Sequence, residues 1–221
     1  MTKFSAQKVI FDLDGTLVDT APDLVAAANH CMEHLGRPAM SLASGRPHAG
    51  YGALPLITHG LMETGGMDGI DPADHRKLFL DFYAQNLSAT SLLFEHAVDV
   101  LEALKAQGFQ LAICTNKPFY LAEPLIKDLA IDHFFEAVIG GDSFAFHKPD
   151  PRHLTMTLEA MSGDGTGLII GDTKSDIHPA KEIGIPVIAV AYGYSDTPLE
   201  TLEPDHIVES LAEIPALISQ S

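Results

Sequence analysis

The chain has 221 residues, of which 46% are hydrophobic, and it can bury the core of one domain or of one domain with a smaller insertion. Its formal net charge of -17, with only 13 lysines and arginines, disfavours nucleic acid and anionic membranes as partners. The sequence has no long apolar run and no signal-peptide pattern at its start, so we expect a soluble, cytoplasmic protein. Its two cysteines, Cys31 and Cys114, are too few for a disulfide framework or a CxxC metal site.

In chain order, the first predicted element is a buried strand over residues 8–13, which runs into the acidic stretch DLDGT. The next part of the chain carries three helical patterns with no convincing strand between them, at residues 23–35, 52–64 and 72–87. After that, strand patterns alternate with helices that begin at a proline or end at a glycine. The strands are predicted at residues 110–114, 137–139, 168–170 and 186–190, and the helices at residues 98–107, 119–129, 151–161 and 175–183.

This order of elements predicts an α/β fold with a doubly wound parallel sheet, covered by helices on both faces. The all-helical part is predicted to be a small cap inserted after the first strand. We expect a core of residues 1–17 and 90–221 and a cap of residues 18–89. Hinges are expected near residues 18–20 and 88–91.

The acidic stretch after the first strand places two carboxylates in one space. Asp12 and Asp14 are two apart on an extended segment, so both point to the same side. Like charges this close require a cation or a shared proton, and Mg²⁺ prefers hard oxygen ligands of this kind. The alternative is a hairpin turn at Asp14-Gly15 with both acids solvated.

Three further predicted strands end in groups that a phosphate site needs. Thr115 and Asn116 can hydrogen-bond phosphate oxygens, and Lys148 can neutralise a phosphoryl group. Asp172 is a second candidate metal carboxylate, with Asp176 one helical turn beyond it. Taken singly, these groups could be a helix cap, a surface charge and a turn. Their order at successive strand ends indicates one phosphate site.

The four segments DLDGT, CTN, HKPDP and GDTKSD resemble the motifs of the haloacid dehalogenase-like phosphohydrolases, over nearly the whole chain. The resemblance implies a Rossmann-like core in which Asp12 is the nucleophile and forms an aspartyl-phosphate. It implies that Asp14 is the general acid and base. It also implies Mg²⁺ held by Asp12, Asp172 and the backbone carbonyl of Asp14.

The same resemblance assigns supporting roles to other residues. Thr115, Asn116 and Lys148 would bind the phosphoryl oxygens, while Thr16 and Asp176 would support the ligands from behind. The haloalkanoate dehalogenases of the family need neither magnesium nor the second acid. The presence of Asp14 and Asp172 therefore counts against them and favours phosphate chemistry.

The predicted cap contains RPHAGYGALPLI, which is similar to the lid of phosphoglycolate phosphatases, as are TNKP, KPDPRHL, GIPVIAV and YGYSD elsewhere. Gly50 and Gly52 allow close backbone approach, and Arg46 can fork onto a substrate carboxylate. His48 departs from the pattern, where a larger aromatic residue is common. The alternative is a plain turn between helices with a solvated arginine.

We therefore expect a Mg²⁺-dependent phosphatase of a small phosphate ester, with 2-phosphoglycolate as the favoured substrate. The sequence leaves open a phosphatase of a sugar phosphate or pyrophosphate, a hexose phosphate mutase, and a non-catalytic regulator that binds a phosphorylated metabolite. It also leaves open whether the protein is a monomer or a homodimer.

The stretch HCMEH, from His30 to His34, matches a zinc-protease pattern with both histidines on one helical face. The helix is predicted to end directly afterwards, and no third ligand is evident. A chance pair is the favoured interpretation.

Overall fold

The computed structural model of the protein describes residues 4–220. Its strands divide into longer central strands and short peripheral ones. They are β1 (Phe4–Ser5), β2 (Lys8–Phe11), β3 (Val18–Asp19), β4 (Leu92–Leu93), β5 (Gln110–Cys114), β6 (Ala137–Ile139), β7 (Gly167–Gly171), β8 (Val187–Val190), β9 (His206–Val208) and β10 (Ile218–Ser219).

The helices fall into a first group of four, before β4, and a second group that alternates with the later strands. They are α1 (Ala21–His34), α2 (Leu42–Gly45), α3 (Ala53–Thr64), α4 (Pro72–Gln85), α5 (Ala97–Ala106), α6 (Phe119–Asp128), α7 (Pro151–Ala160), α8 (Lys174–Ile183), α9 (Leu199–Leu202) and α10 (Ile214–Leu217).

The central sheet has six parallel strands in the order β6-β5-β2-β7-β8-β9. Successive residues of β2 point to opposite faces of the sheet. Val9 and Phe11 pack in one apolar cluster with Leu101 of α5 and Leu125 of α6. Ile10 packs in a second cluster on the other face, beside residues of α7 and α8. The predicted doubly wound α/β fold is confirmed.

The four helices α1 to α4 form the insertion that follows the first central strand, as predicted, and they build an apolar cluster of their own around Met32, Leu56 and Phe79. The chain enters them through β3 and leaves them through β4, and these two strands pair antiparallel. The carboxylate of Asp23 in α1 accepts hydrogen bonds from the backbone N–H groups of Thr90 and Ser91. These hydrogen bonds therefore connect the two segments through which the chain enters and leaves the inserted helices.

Differences from the predicted elements lie mainly at their ends. The first predicted strand corresponds to β2, which ends at Phe11 rather than at residue 13. The chain then turns away through Gly15, whose φ of 86° suits glycine. The seven longer helices begin and end within two residues of the predictions, whereas the short helices α2, α9 and α10 and the two-residue strands β1, β3, β4 and β10 were not predicted. The edge strand β9 was not predicted either, because only two of its three residues, Ile207 and Val208, are apolar. No helix in residues 4–220 is long and apolar enough to cross a membrane.

Candidate active site

The candidate site lies at the carboxyl ends of three neighbouring strands. Asp12 follows β2, Thr115 follows β5, and Asp172 follows β7, and β2 lies between the other two in the sheet. Lys148 precedes α7 and reaches the same place, where its Nζ lies 3.0 Å from Oδ1 of Asp12. The four segments singled out in the sequence therefore converge in one site, at the sheet edge where α/β proteins bind ligands.

Three buried carboxylates form the centre of this site. One oxygen from each of Asp12, Asp172 and Asp176 lies within 4.8 Å of the others. Burial, offset in part by Lys148, raises the pKa of Asp12 to about 7. Burial, together with the charges of Asp12 and Asp176, raises the pKa of Asp172 well above its ordinary value. Three acids this close favour a bound cation, because a cation offsets their mutual repulsion.

Lys148 is the positive charge already built into this centre. Its Nζ donates to Oδ1 of Asp176 at 2.6 Å and lies 3.0 Å from Asp12. Burial alone lowers the pKa of Lys148, but these two carboxylates outweigh burial and raise the pKa above its ordinary value. The side chain is therefore a permanent cation beside the candidate nucleophile, although it is only 1% exposed.

Asp12 presents one oxygen to the cavity and keeps the other occupied. Its Oδ1 accepts the N–H of Leu13 at 2.7 Å and faces Lys148. No group within residues 4–220 donates a hydrogen bond to Oδ2 of Asp12. A carboxylate held in this way has a fixed orientation and one free oxygen, which is what a nucleophile requires.

Asp14 is held by partners that the sequence analysis did not assign. Nζ of Lys117 lies 3.0 and 3.2 Å from its two oxygens, and the Thr20 hydroxyl donates to Oδ1 at 2.7 Å. Lys117 also donates to the phenol oxygen of Tyr83 on α4, at 2.6 Å. The second acid is thus linked through one buried lysine to the inserted helices.

Hydrogen bonds and close backbone packing hold the carboxylate of Asp172 in place. Its oxygens accept the Thr16 hydroxyl at 3.1 Å and the N–H of Tyr194 at 2.6 Å. A Cβ at Gly15 would lie 2.3 Å from Oδ2 of Asp172, and one at Gly193 would lie 2.2 Å from its Cβ. Only glycine at these two positions lets the backbone approach the carboxylate so closely.

Both carboxylate oxygens of Asp176 accept hydrogen bonds from other groups of the protein. Its Oδ2 accepts backbone N–H groups of Asp172 and Thr173 and the Thr173 hydroxyl, as the capping box of α8. Its Oδ1 accepts from Lys148. Its placement fits the predicted supporting role, in which it orients Lys148 and the start of α8.

Thr115 and Asn116 line the cavity beside these acids. The Thr115 hydroxyl accepts the N–H of Lys117 at 3.1 Å, so its own proton is free to be donated to a ligand. Asn116 donates through Nδ2 to the carbonyl of Lys148 at 2.8 Å. Oδ1 of Asn116 is buried and has no partner within residues 4–220. The Thr115 hydroxyl therefore offers a donor to a phosphoryl oxygen, whereas Oδ1 of Asn116 can only accept.

A cavity of about 270 Å³ separates the sheet edge from the inserted helices. Asp12 and Asp14 lie in its wall on the sheet side, and residues 49–55 line it on the helical side. Gly50 brings this loop close to the sheet: a Cβ there would lie 3.5 Å from the side chains of Thr173 and Tyr194. Gly52, with φ of 88°, precedes α3 as its N-cap. This volume lies at the small end of ligand pockets and suits a small substrate.

Arg46 does not line this cavity. It forks onto Asp19, with two N–O distances of 2.9 Å, and its guanidinium lies 5.8 Å from the ring centre of Tyr194. Arg46 does make a bidentate contact with a carboxylate, but this carboxylate is that of Asp19 in the same chain and not that of a substrate. Asp19 lies in β3, where the chain enters the insertion. His48, the departure noted in the lid pattern, stacks on His59 at 3.9 Å.

Lys117 and Tyr83 are the site residues that sequence reasoning missed. Lys117 belongs to the TNKP stretch and follows a predicted strand end, so its position carried a signal. Tyr83 carried none, since it resembles any apolar residue of an amphipathic helix. The HCMEH stretch brings no metal group together. His30 stacks on Phe82 at 4.5 Å, and the one cluster of potential ligands found in residues 4–220 is the acidic centre.

A parallel sheet with a helical insertion, a buried acidic centre and a lysine at its side defines a hydrolase of the haloacid dehalogenase type. The family model described as "Haloacid dehalogenase-like hydrolase" matches residues 9–190. The chain belongs to this family.

The more specific similarities are to phosphoglycolate phosphatases. The chain is 39% identical to the phosphoglycolate phosphatase of Mesorhizobium japonicum, over 90% of this chain and 89% of that protein. It is 38% identical to the one from Agrobacterium fabrum, over 96% and 92%. The crystal structure of a predicted phosphoglycolate phosphatase from Haemophilus somnus superposes with a TM-score of 0.83, at 30% identity, over 97% of both chains.

Proposed function

We propose that this protein is a Mg²⁺-dependent phosphatase that hydrolyses 2-phosphoglycolate to glycolate and phosphate. The observation that carries the chemistry is the geometry of Asp12, whose Oδ1 is held by Leu13 and Lys148 while Oδ2 receives no hydrogen bond from any group in residues 4–220. The near full-length similarity to phosphoglycolate phosphatases supports the choice of substrate.

The donor set of the acidic centre fits Mg²⁺. The ligands that we assign are carboxylate oxygens of Asp12 and Asp172 and the backbone carbonyl of Asp14, all hard oxygen donors. We assign Asp176 to a supporting role rather than to direct ligation, since its oxygens accept from Lys148 and from the start of α8 and so orient both. When bound, the ion offsets negative charge on the phosphate and on the carboxylates around it.

In the first step, Oδ2 of Asp12 attacks phosphorus and forms an aspartyl-phosphate as the bond from phosphorus to the glycolate oxygen breaks. Asp14, in its protonated form, gives its proton to the departing glycolate oxygen. Lys148 stabilises the negative charge on the transferring phosphoryl group, and the Thr115 hydroxyl donates to one of its oxygens.

In the second step, water attacks phosphorus of the aspartyl-phosphate. Asp14, now a carboxylate, accepts a proton from this water, and the Asp12–phosphorus bond breaks to regenerate the free carboxylate. Nζ of Lys117 contacts both oxygens of Asp14 and fixes the position of this carboxyl group. The same group thus serves as acid and then as base, and both protons are accounted for.

We also assign residues 18–89 to a lid and residues 1–17 and 90–221 to the core. Lid closure excludes bulk water from the cavity and protects the aspartyl-phosphate intermediate. We place the hinges at residues 18–20 and 88–91, beside the short pairing of β3 with β4. Small-angle scattering of the Asp12→Asn variant, with and without phosphoglycolate, is expected to show compaction on binding. Identical curves would contradict the lid motion.

Release of free phosphate from a panel of esters tests the function. The panel contains phosphoglycolate, ethyl phosphate, glucose 6-phosphate and pyrophosphate, each assayed with and without Mg²⁺. We expect kcat/KM to be highest for phosphoglycolate, activity to require the ion, and Asp12→Asn to be inactive while folded. Faster hydrolysis of another ester would overturn the substrate assignment alone. Turnover by Asp12→Asn would overturn the nucleophile.

A further inference from the structure

The proposed substrate carries two anionic groups, and the acidic centre accounts for only one of them. The phosphoryl group is placed at Asp12, Lys148 and the metal. The carboxylate at the other end of phosphoglycolate needs a cation of its own within the cavity, because the protein as a whole is strongly acidic.

Two candidate cations are already used by the protein. Lys117 lines the cavity, but its Nζ is shared between Asp14 and Tyr83. Arg46, the residue that the lid pattern favours, is bound in two places by Asp19 and lies outside the cavity lining. Neither guanidinium nor ammonium is free to pair with a substrate.

One face of α4 supplies a cation that is free. Arg76, Phe79, Leu80 and Tyr83 all line the cavity, and their spacing of i, i+3, i+4 and i+7 places them along one side of the helix. Arg76 is exposed, and no group in residues 4–220 forms a hydrogen bond or an ion pair with it. Seven residues of helix separate it from Tyr83, about 10 Å along the axis, so it lies toward the mouth of the cavity.

The surroundings of Arg76 favour anion binding. Phe79 and Leu80 on its own helix, and Leu54 and Pro55 across the cavity, make this part of the wall apolar. Apolar side chains offer a bound carboxylate no hydrogen-bond donor, so the guanidinium of Arg76 is the polar side chain that it meets at this end of the cavity. The remaining basic residue of the lining, His147, directly precedes Lys148 in the sequence, away from α4.

Resting on the proposed function, we infer that Arg76 binds the carboxylate of phosphoglycolate and makes this enzyme selective for phosphate esters that carry a carboxylate. Its planar group can give two parallel hydrogen bonds to that carboxylate. Because these bonds form on binding and lie away from the reacting phosphorus, they lower KM more than they raise kcat.

The test compares phosphoglycolate with ethyl phosphate, in which a methyl group replaces the carboxylate. Arg76→Gln is expected to lower kcat/KM for phosphoglycolate by about 10- to 100-fold, the usual worth of a charge-assisted hydrogen bond, mainly through KM. Its kcat/KM for ethyl phosphate should stay within about twofold of the wild type. Arg76→Lys should restore part of the loss, because charge is kept but the fork is not.

Lys77→Gln is the matched control. Lys77 is the next residue on α4, is 85% exposed and pairs with Asp81 rather than lining the cavity. It removes the same charge from the protein, and both substrates should be unaffected. Equal losses for both substrates in Arg76→Gln, or no loss, would overturn this inference alone. A wild-type enzyme that does not prefer phosphoglycolate over ethyl phosphate would overturn the proposed function itself, and this inference with it.

Discussion

Replacing the candidate nucleophile should stabilise the metal-free protein while it abolishes turnover. Asp12 has an ordinary pKa of 3.8, and in the folded protein burial raises it to about 7. A carboxyl whose pKa is raised by folding costs stability at any pH above its unfolded value, and the cost is complete above the folded pKa. At pH 8, this cost is about 4 kcal/mol, from three pKa units at about 1.4 kcal/mol each.

Asp12→Asn removes that cost, because the amide is neutral at every pH. The amide oxygen can still accept the N–H of Leu13, and Lys148 keeps its partner Asp176. Allowing about 1 kcal/mol for imperfect hydrogen bonding of the amide, we expect a net gain of about 3 kcal/mol at pH 8. The urea midpoint should rise by about 1 M.

The assay is urea denaturation in the presence of a chelator, at pH 8 and at pH 4. The gain should be present at pH 8 and nearly absent at pH 4, where Asp12 is protonated in the folded protein. Asp150→Asn is the matched control, since hydrogen bonds from Arg152 lower the pKa of Asp150 to about 2, and its replacement should give no gain. An Asp12→Asn variant less stable than wild type at pH 8 would refute the reasoning.

Three further predictions concern the surroundings of the site. Lys117→Met leaves Asp14 without its cation and removes the hydrogen bond to Tyr83. It should cost about 3 kcal/mol, or about 6–12 °C in Tm by calorimetry, and lower kcat because the acid and base is no longer held in position; an unchanged kcat would contradict the link to Asp14. Arg46→Gln breaks a partly exposed pair with Asp19 and should lower Tm by about 2–4 °C. The rate ratio of phosphoglycolate to ethyl phosphate should not change, and a fall in that ratio would return the carboxylate to Arg46. Removal of divalent metal by a chelator should abolish phosphate release, and Mg²⁺ should restore it; full activity in chelator would contradict the metal assignment.

The central sheet and the position of the site could be predicted from local patterns. Strands such as β7 are short, buried runs of apolar residues and glycine, and the polar groups that follow them stand out in the sequence. Once a parallel sheet is inferred, the ends of its strands must meet at one edge, so Asp12, Thr115 and Asp172 could be placed together before any contact was known. The sequence pattern alone also predicted the position of the helical insertion, between β2 and β5 of the central sheet.

Local patterns are enough to predict the fold class, the strand-end acids and Lys148, because residues that follow neighbouring strands of a parallel sheet meet at one edge. The partners of individual charges were decided only by tertiary structure. Asp14 and Lys117 are 103 residues apart, and Arg46 meets Asp19 rather than the cavity. Taken pair by pair, several oppositely charged groups could partner such a side chain, with interaction free energies that differ by only about 1 kcal/mol. Packing of the helices against the sheet selects the partner, and it alone turns Arg76 toward the cavity.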